Sequence, residues 1–183
     1  MKNKDYELKP VEGLSLKPFY LKSPKMNVRV YVVSGIMLLI LAIVYPYLFA
    51  AVPFYFYYIY KKIKYYKSEP SILLHEAIDK YLLDELDDSL NLLNRLSDME
   101  PDNIKCNTLR ALIYYSQEYY EKAAEMLEKV PHKIIGNDLD LMLKLADSYL
   151  KIQEKDKAIK VYNNILKVYP NSEFIKDILK NVK

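Results

Sequence analysis

Between Val30 and Tyr60 the polar positions of the chain all but disappear. The stretch VYVVSGIMLLILAIVYPYLFAAVPFYFYYIY holds no Lys, Arg, Asp, Glu, His, Asn or Gln. A soluble core helix keeps polar residues on one face, so they recur every third or fourth position. An uninterrupted run of about 18 or more apolar residues predicts a transmembrane helix instead. Arg29 closes one end of the run, and Lys61, Lys62 and Lys64 close the other. From Pro70 onward the pattern changes to a series of helices with an internal period.

Four regions follow from this pattern. Residues 1–29 form a basic tail punctuated by Pro10, Gly13, Pro18 and Pro24, with no helical or strand period between them. Residues 30–60 form the transmembrane segment, residues 61–69 a lysine-tyrosine collar, and residues 70–183 a helical-repeat domain. The expected fold is all-α: an N-terminal transmembrane segment followed by a solenoid of about three helix pairs and a C-terminal capping helix.

The apolar run is too long for one straight crossing. At about 1.5 Å per residue it would reach ~46 Å, against a hydrocarbon core of about 30 Å. Pro46 and Pro53 each favour a break. One solution is a single span from Val30 to about Val52, with Phe54 to Tyr60 lying in the interface. The other is a hairpin that turns near Pro46 and returns both ends to one face. Base rates favour the single span. In either case Arg29, Tyr55, Tyr57, Tyr58, Tyr60, Lys61, Lys62 and Lys64 are the expected membrane-interface residues, because lysine stems snorkel and tyrosine rings sit at headgroup depth. The tail is too polar for a signal peptide and no small-residue cleavage site follows. The expectation is therefore an integral membrane protein, not a cleaved secreted one, with the repeats facing the cytoplasm.

Charge supports the division. Up to Lys67 there are eleven Lys/Arg against three Asp/Glu; from Glu69 onward there are sixteen against twenty-one. A basic flank on an apolar run suits anionic lipid headgroups, and the acidic remainder argues against nucleic acid. The expected partners are thus a lipid bilayer and a protein or peptide, with a homo-oligomer left open. Cys106 is the single cysteine, and it falls within a helical pattern as a packing residue. His75 and His132 lie apart, with no metal-ligand spacing around them. The carboxylates between Asp84 and Asp88 charge a helix start. With three glycines in the chain there is no phosphate-cradling loop. No metal, no cofactor and no catalytic residue is expected, and the chain is read as a binding protein, not an enzyme.

The repeat domain carries the finest signal. Small residues recur at Ala77, Ala111 and Ala146, spaced 34 and 35 apart, and again at Ser89, Ala123 and Ala158 with the same spacing. Pro101 and Pro170 are 69 apart. Small residues let the two helices of a unit approach, and large ones at Tyr114, Tyr149, Leu93, Leu127 and Tyr162 fill the space between units. A unit cannot bury its apolar face alone, so about three must stack. The third unit, with Leu145, Ala146, Tyr149, Ala158, Tyr162, Ile165 and Pro170, resembles the tetratricopeptide repeat family. The second keeps Ala111, Tyr114, Tyr120, Ala123 and Leu127 but ends early at Pro131, before the linker HKIIGN. The first keeps Ala77, Leu93 and Pro101, with Ser89 for alanine. The closing stripe Phe174, Ile175, Ile178, Leu179 and Val182 predicts an amphipathic cap.

The resemblance implies a concave groove lined by the first helix of each unit. By register it draws on Leu74, Ile78, Tyr81, Thr108, Leu112, Tyr115, Leu143, Asp147, Leu150 and Lys151. Such an apolar and tyrosine surface suits an extended or helical peptide. Where some family members clamp a chaperone carboxylate tail, this chain has Leu74, Ile78, Leu109, Asp140 and Lys144, and only the last keeps the charge. The expected function is a membrane-anchored adaptor or scaffold that binds protein partners through the groove without catalysis. The alternative is a structural or membrane-shaping subunit that self-associates through its repeats.

Overall fold

The computed structural model describes residues 18–23 and 26–182. Most of the predicted irregular tail lies outside the described residues. Among the described residues the structure is helical, without strands. The chain divides into two compact units: Ser23–Leu92, and Met1–Lys22 together with Leu93–Lys183.

The first of these holds helices α1 (Val28–Val44), α2 (Ala51–Tyr66) and α3 (Glu69–Leu82) and the start of α4 (Leu86–Met99). The apolar run does not form one helix. It breaks after Val44, passes through a 3-10 turn at Pro46–Ala50 and resumes as α2. Pro46 opens that turn because it cannot donate a backbone hydrogen bond to continue α1. Pro53 is tolerated in the first turn of α2, where amide hydrogens have no intrahelical partner anyway. The 17 residues of α1 rise only about 25 Å at 1.5 Å each, and α2 carries Lys61, Lys62 and Lys64 within its 16 residues. No described helix is long and apolar enough to cross a membrane. The expected transmembrane segment over residues 30–60, and with it the assignment as an integral membrane protein, is therefore corrected.

What holds α1 to α2 is a small polar seam. The Tyr55 hydroxyl donates to the Tyr31 carbonyl at 2.7 Å and is bonded to the Ser34 hydroxyl, which also reaches the Val30 carbonyl. A Cβ on buried Gly35 would stand 3.2 Å from the Tyr55 ring, so the absent side chain makes room for the tyrosine. Further along, Lys62 donates to both the Tyr31 and Tyr58 hydroxyls. Tyr55 thus faces α1, while Arg29, Tyr57, Tyr58, Tyr60, Lys61, Lys62 and Lys64 are exposed. So are Val32, Val33, Ile36, Met37, Ile40, Ile43 and Val44, on the side of α1 away from Tyr31, Ser34, Gly35 and Ala42.

The other unit holds the remainder of α4, then α5 (Ile104–Ser116), α6 (Tyr120–Glu128), the one-turn α7 (His132–Ile135), α8 (Leu139–Lys151), α9 (Lys155–Val168) and α10 (Glu173–Val182). Helices α5 and α6 pack as a pair, α8 and α9 as another, and α6 packs on α8. The linker HKIIGN is occupied by α7, which buries Ile135. Helix α10 lies on α9 through Ile175 and Leu179.

The predicted packing register holds in both units. Ala77, Ala111, Ala146, Ser89, Ala123 and Ala158 are all at 0 % exposure. Where the first pair has Ser89 in place of alanine, the hydroxyl donates to the Ala77 carbonyl at 2.8 Å, so the buried oxygen is satisfied. The turn between the paired helices repeats as well. Asp84, Glu118 and Gln153 each take a positive φ, of 62, 62 and 66°. In each turn the next amide donates back to the carbonyl five residues earlier: Glu85 to Lys80, Tyr119 to Tyr114 and Glu154 to Tyr149. A left-handed residue with this bond is a common way to close a helix and spare its last carbonyls.

Candidate peptide-binding face

The predicted groove residues separate by burial. Leu74 and Ile78 are buried on α3, and Tyr81 there is half-buried. In the other unit, Thr108 and Leu112 are buried on α5. Tyr115, Leu143, Asp147 and Leu150 are half-buried, and Lys151 is exposed. The Thr108 hydroxyl turns inward and donates to the Ile104 carbonyl.

Helix α8 shows why the accessible set is a stripe. Its core side carries Leu141, Met142, Leu145, Ala146, Ser148 and Tyr149, all buried. The remaining positions, 139, 140, 143, 144, 147, 150 and 151, follow the helical repeat on the opposite side. Asp138 caps the start of the helix by accepting from the Leu141 amide.

Tyr115 links this stripe to α5. Its hydroxyl donates to Asp147 Oδ2 at 2.8 Å. Burial and the adjoining Asp147 carboxylate hold that hydroxyl well above the usual tyrosine range. The Tyr115 ring meets the edge of Tyr120 at a centroid distance of 5.6 Å. Lys144, paired with Asp140, lies 5.6 Å from the Tyr115 ring centre, and Lys151 lies 5.7 Å from that of Tyr120. Beneath them Tyr162 is buried, and burial, with Asp147 adding, pushes its hydroxyl up to about 12. With their hydroxyls held above the ordinary range, Tyr115 and Tyr162 stay neutral at neutral pH, and the Tyr115 and Tyr120 rings give flat apolar surface beside the Lys144 and Lys151 amines. Such a face binds side chains by stacking and hydrogen bonding. Among the described residues no group of His, Cys, Asp or Glu is placed to hold a metal.

Helix α5 is covered on one side by a segment of its own chain. Residues Phe19–Leu21 form a single 3-10 turn that packs on α5 with Tyr20 buried. The Phe19 and Tyr20 rings meet edge to face at 5.3 Å. Lys105 of α5 donates to the Lys22 carbonyl at 2.5 Å. Burial lowers the Lys105 ammonium from its ordinary range, and the nearby charge of Lys22 adds to that. Thr108 and Leu112 lie three and seven residues along the helix from Lys105, on the same face.

The sequence pattern put Tyr115 and Asp147 in the expected groove and Lys144 at a clamp position, but left Tyr120 and Tyr20 out of both sets. Tyr120 was legible as an aromatic five residues after Tyr115 across a tight turn. Nothing local marked Tyr20, which sits between prolines in an irregular stretch.

Residues 140–172, which carry most of α8, all of α9 and the turn beyond, match the family model for the tetratricopeptide repeat. No curated protein matches the chain at significance. The repeat match and the paired helices support an interaction scaffold for protein partners, a kind of module that is typically non-catalytic.

Proposed function

We propose that the helical-repeat part of the chain is an adaptor that holds a peptide segment of a protein partner along the α5 and α8 face. The observation that carries the reading is the stripe Leu143, Asp147, Leu150 and Lys151, left accessible beside Tyr115 on the side of α8 opposite its buried residues. Leucines give a peptide apolar anchor points, tyrosines give rigid area at low entropic cost, and Lys151 and Asp147 set orientation. No chemistry is assigned to the face. Its role is to bring partners together.

Peptides selected by display against the full chain test this. Leu143→Asp with Lys151→Glu is expected to weaken them at least tenfold. Lys160→Glu, on the exposed side of α9, is expected to leave them unchanged. Selected peptides indifferent to the first pair of changes would refute the assignment.

A second reading, a self-associating structural subunit, draws on a different observation. Large apolar side chains are exposed on the side of α1 turned away from the Tyr55 seam and along α2, and contiguous apolar surface of that kind marks an interaction site in a folded protein. Sedimentation of the full chain over a range of concentrations separates the two: a monomer at all concentrations removes the second reading.

A further inference from the structure

The segment Phe19–Leu21 is placed like a bound ligand. It has no sheet or long helix of its own to hold it, being one 3-10 turn. Its burial comes from α5, where Tyr20 is only 7 % exposed. It is tied at its end through the Lys22 carbonyl, a backbone group that any peptide supplies. The helix beneath it is α5, held at Lys105, and by helical register the face that carries Lys105 also carries Thr108 and Leu112 of the expected groove.

We propose that this face of α5 is a peptide site whose resident occupant is the chain's own segment Phe19–Leu21. The partner it fits is a short segment with an aromatic residue followed by an aliphatic one, which binds by displacing that resident. The inference rests on the reading of the repeats as a peptide adaptor and gives it a partner chemistry and a control. Recognition divides into two parts. The aromatic side chain supplies the apolar contact, as Tyr20 does. Lys105 supplies a hydrogen bond to a backbone carbonyl, which is indifferent to sequence. Specificity therefore resides in the aromatic-aliphatic pair and not in charge.

A tethered ligand competes strongly. A segment of the same chain competes intramolecularly, so a free peptide of equal intrinsic affinity stays excluded below the effective concentration of the resident, which the intervening 83 residues set. Weakening the resident must then strengthen the visitor. That is the signature that separates a resident ligand from a merely structural contact.

The test uses the full chain and a fluorescein-labelled peptide of residues 18–22, Pro-Phe-Tyr-Leu-Lys. In fluorescence anisotropy the peptide is expected to bind the Tyr20→Ala chain at least tenfold more tightly than the unmodified chain. A peptide with alanine in place of its tyrosine is expected to bind neither. Leu21→Asp, at a half-buried position, serves as a second way to loosen the resident segment and is expected to give the same order. Circular dichroism establishes that each variant retains its helices. Equal binding to all three chains, or binding to none while the helices are intact, would overturn the proposal. If display-selected peptides still depend on Leu143 and Lys151 in that case, the adaptor reading stands without it. If they do not, both fall.

Discussion

The Tyr115 hydroxyl donates to Asp147 Oδ2 at 2.8 Å and so ties α5 to α8 across 32 residues of sequence. A second bond of the same kind runs from the Tyr149 hydroxyl to Glu128 Oε1 at 2.6 Å and ties α8 to α6. Lys157 stands 3.6 Å from the same Glu128 oxygen and 5.3 Å from the centre of the Tyr149 ring. Tyrosine thus fastens consecutive helix pairs with its hydroxyl while its ring packs.

The Tyr115–Asp147 bond is expected to be worth about 1 kcal/mol, below the roughly 1.5–3 kcal/mol usual for a charged acceptor because solvent screens the half-buried pair. Tyr115→Phe and Asp147→Asn are each expected to lower the urea midpoint slightly. The double variant should cost less than the sum of the two. A coupling near zero in that cycle would show that the bond contributes nothing to stability.

Stability should fall on the alkaline side. Burial pushes the Cys106 thiol from 9.0 up to about 11, with Sγ donating to the Leu93 carbonyl. Tyr162 moves from 10.0 up to about 12. Each folded-state value lies above the unfolded one, so the unfolded chain releases its protons first as pH rises. The stabilisation is fully present below about pH 9 and is lost through pH 9 to 11 for Cys106 and 10 to 12 for Tyr162. Urea midpoints measured from pH 7 to 11 should stay level and then drop. Cys106→Ala should remove roughly 2 kcal/mol of that drop. A drop of the same size in this variant would exclude the thiol as its source. The native thiol should also resist a disulfide reagent until the chain is unfolded, because Cys106 is fully buried.

The left-handed turn residues offer a gain in stability. Asp84, Glu118 and Gln153 are not glycine, and the left-handed conformation costs an ordinary residue about 1–2 kcal/mol. Glycine removes that strain but loses roughly 0.5–1 kcal/mol of chain entropy. Glu118→Gly and Gln153→Gly, both at exposed positions, are each expected to stabilise the fold by about 0.5–1 kcal/mol. Thermal unfolding checks this, and a lowered midpoint would mean that the turns are held without strain.

The apolar surface of α1 and α2 should govern how the chain behaves in water. Val33, Ile36, Met37, Ile40 and Ile43 are exposed together on α1. The full chain is expected to self-associate or to bind detergent micelles. Ile36→Glu with Ile40→Glu should reduce both without loss of helicity, since neither side chain is core. Light scattering and circular dichroism measure the two effects. A monodisperse monomer before substitution would contradict the expectation.

The sequence by itself determined the repeat. Volume at Ala77, Ala111 and Ala146 and at Ser89, Ala123 and Ala158 set the spacing of paired helices, and all six are fully buried as that spacing requires. These are local signals, repeated, and helical periodicity exposes them directly. The positive φ at Asp84, Glu118 and Gln153 follows the same register, yet it was hidden because none of the three is glycine. The tertiary structure alone decided two other matters. Composition read the apolar run as a membrane crossing and already offered a turn near Pro46 as one of two solutions, but only the fold shows Tyr55 bonded back to Tyr31, a contact across 24 residues. Composition read the stretch around Tyr20 as an irregular tail, but it lies on α5, where Lys105 holds a carbonyl 83 residues away in sequence. Both outcomes depend on which distant surface meets a segment, and periodicity within a window carries no record of that.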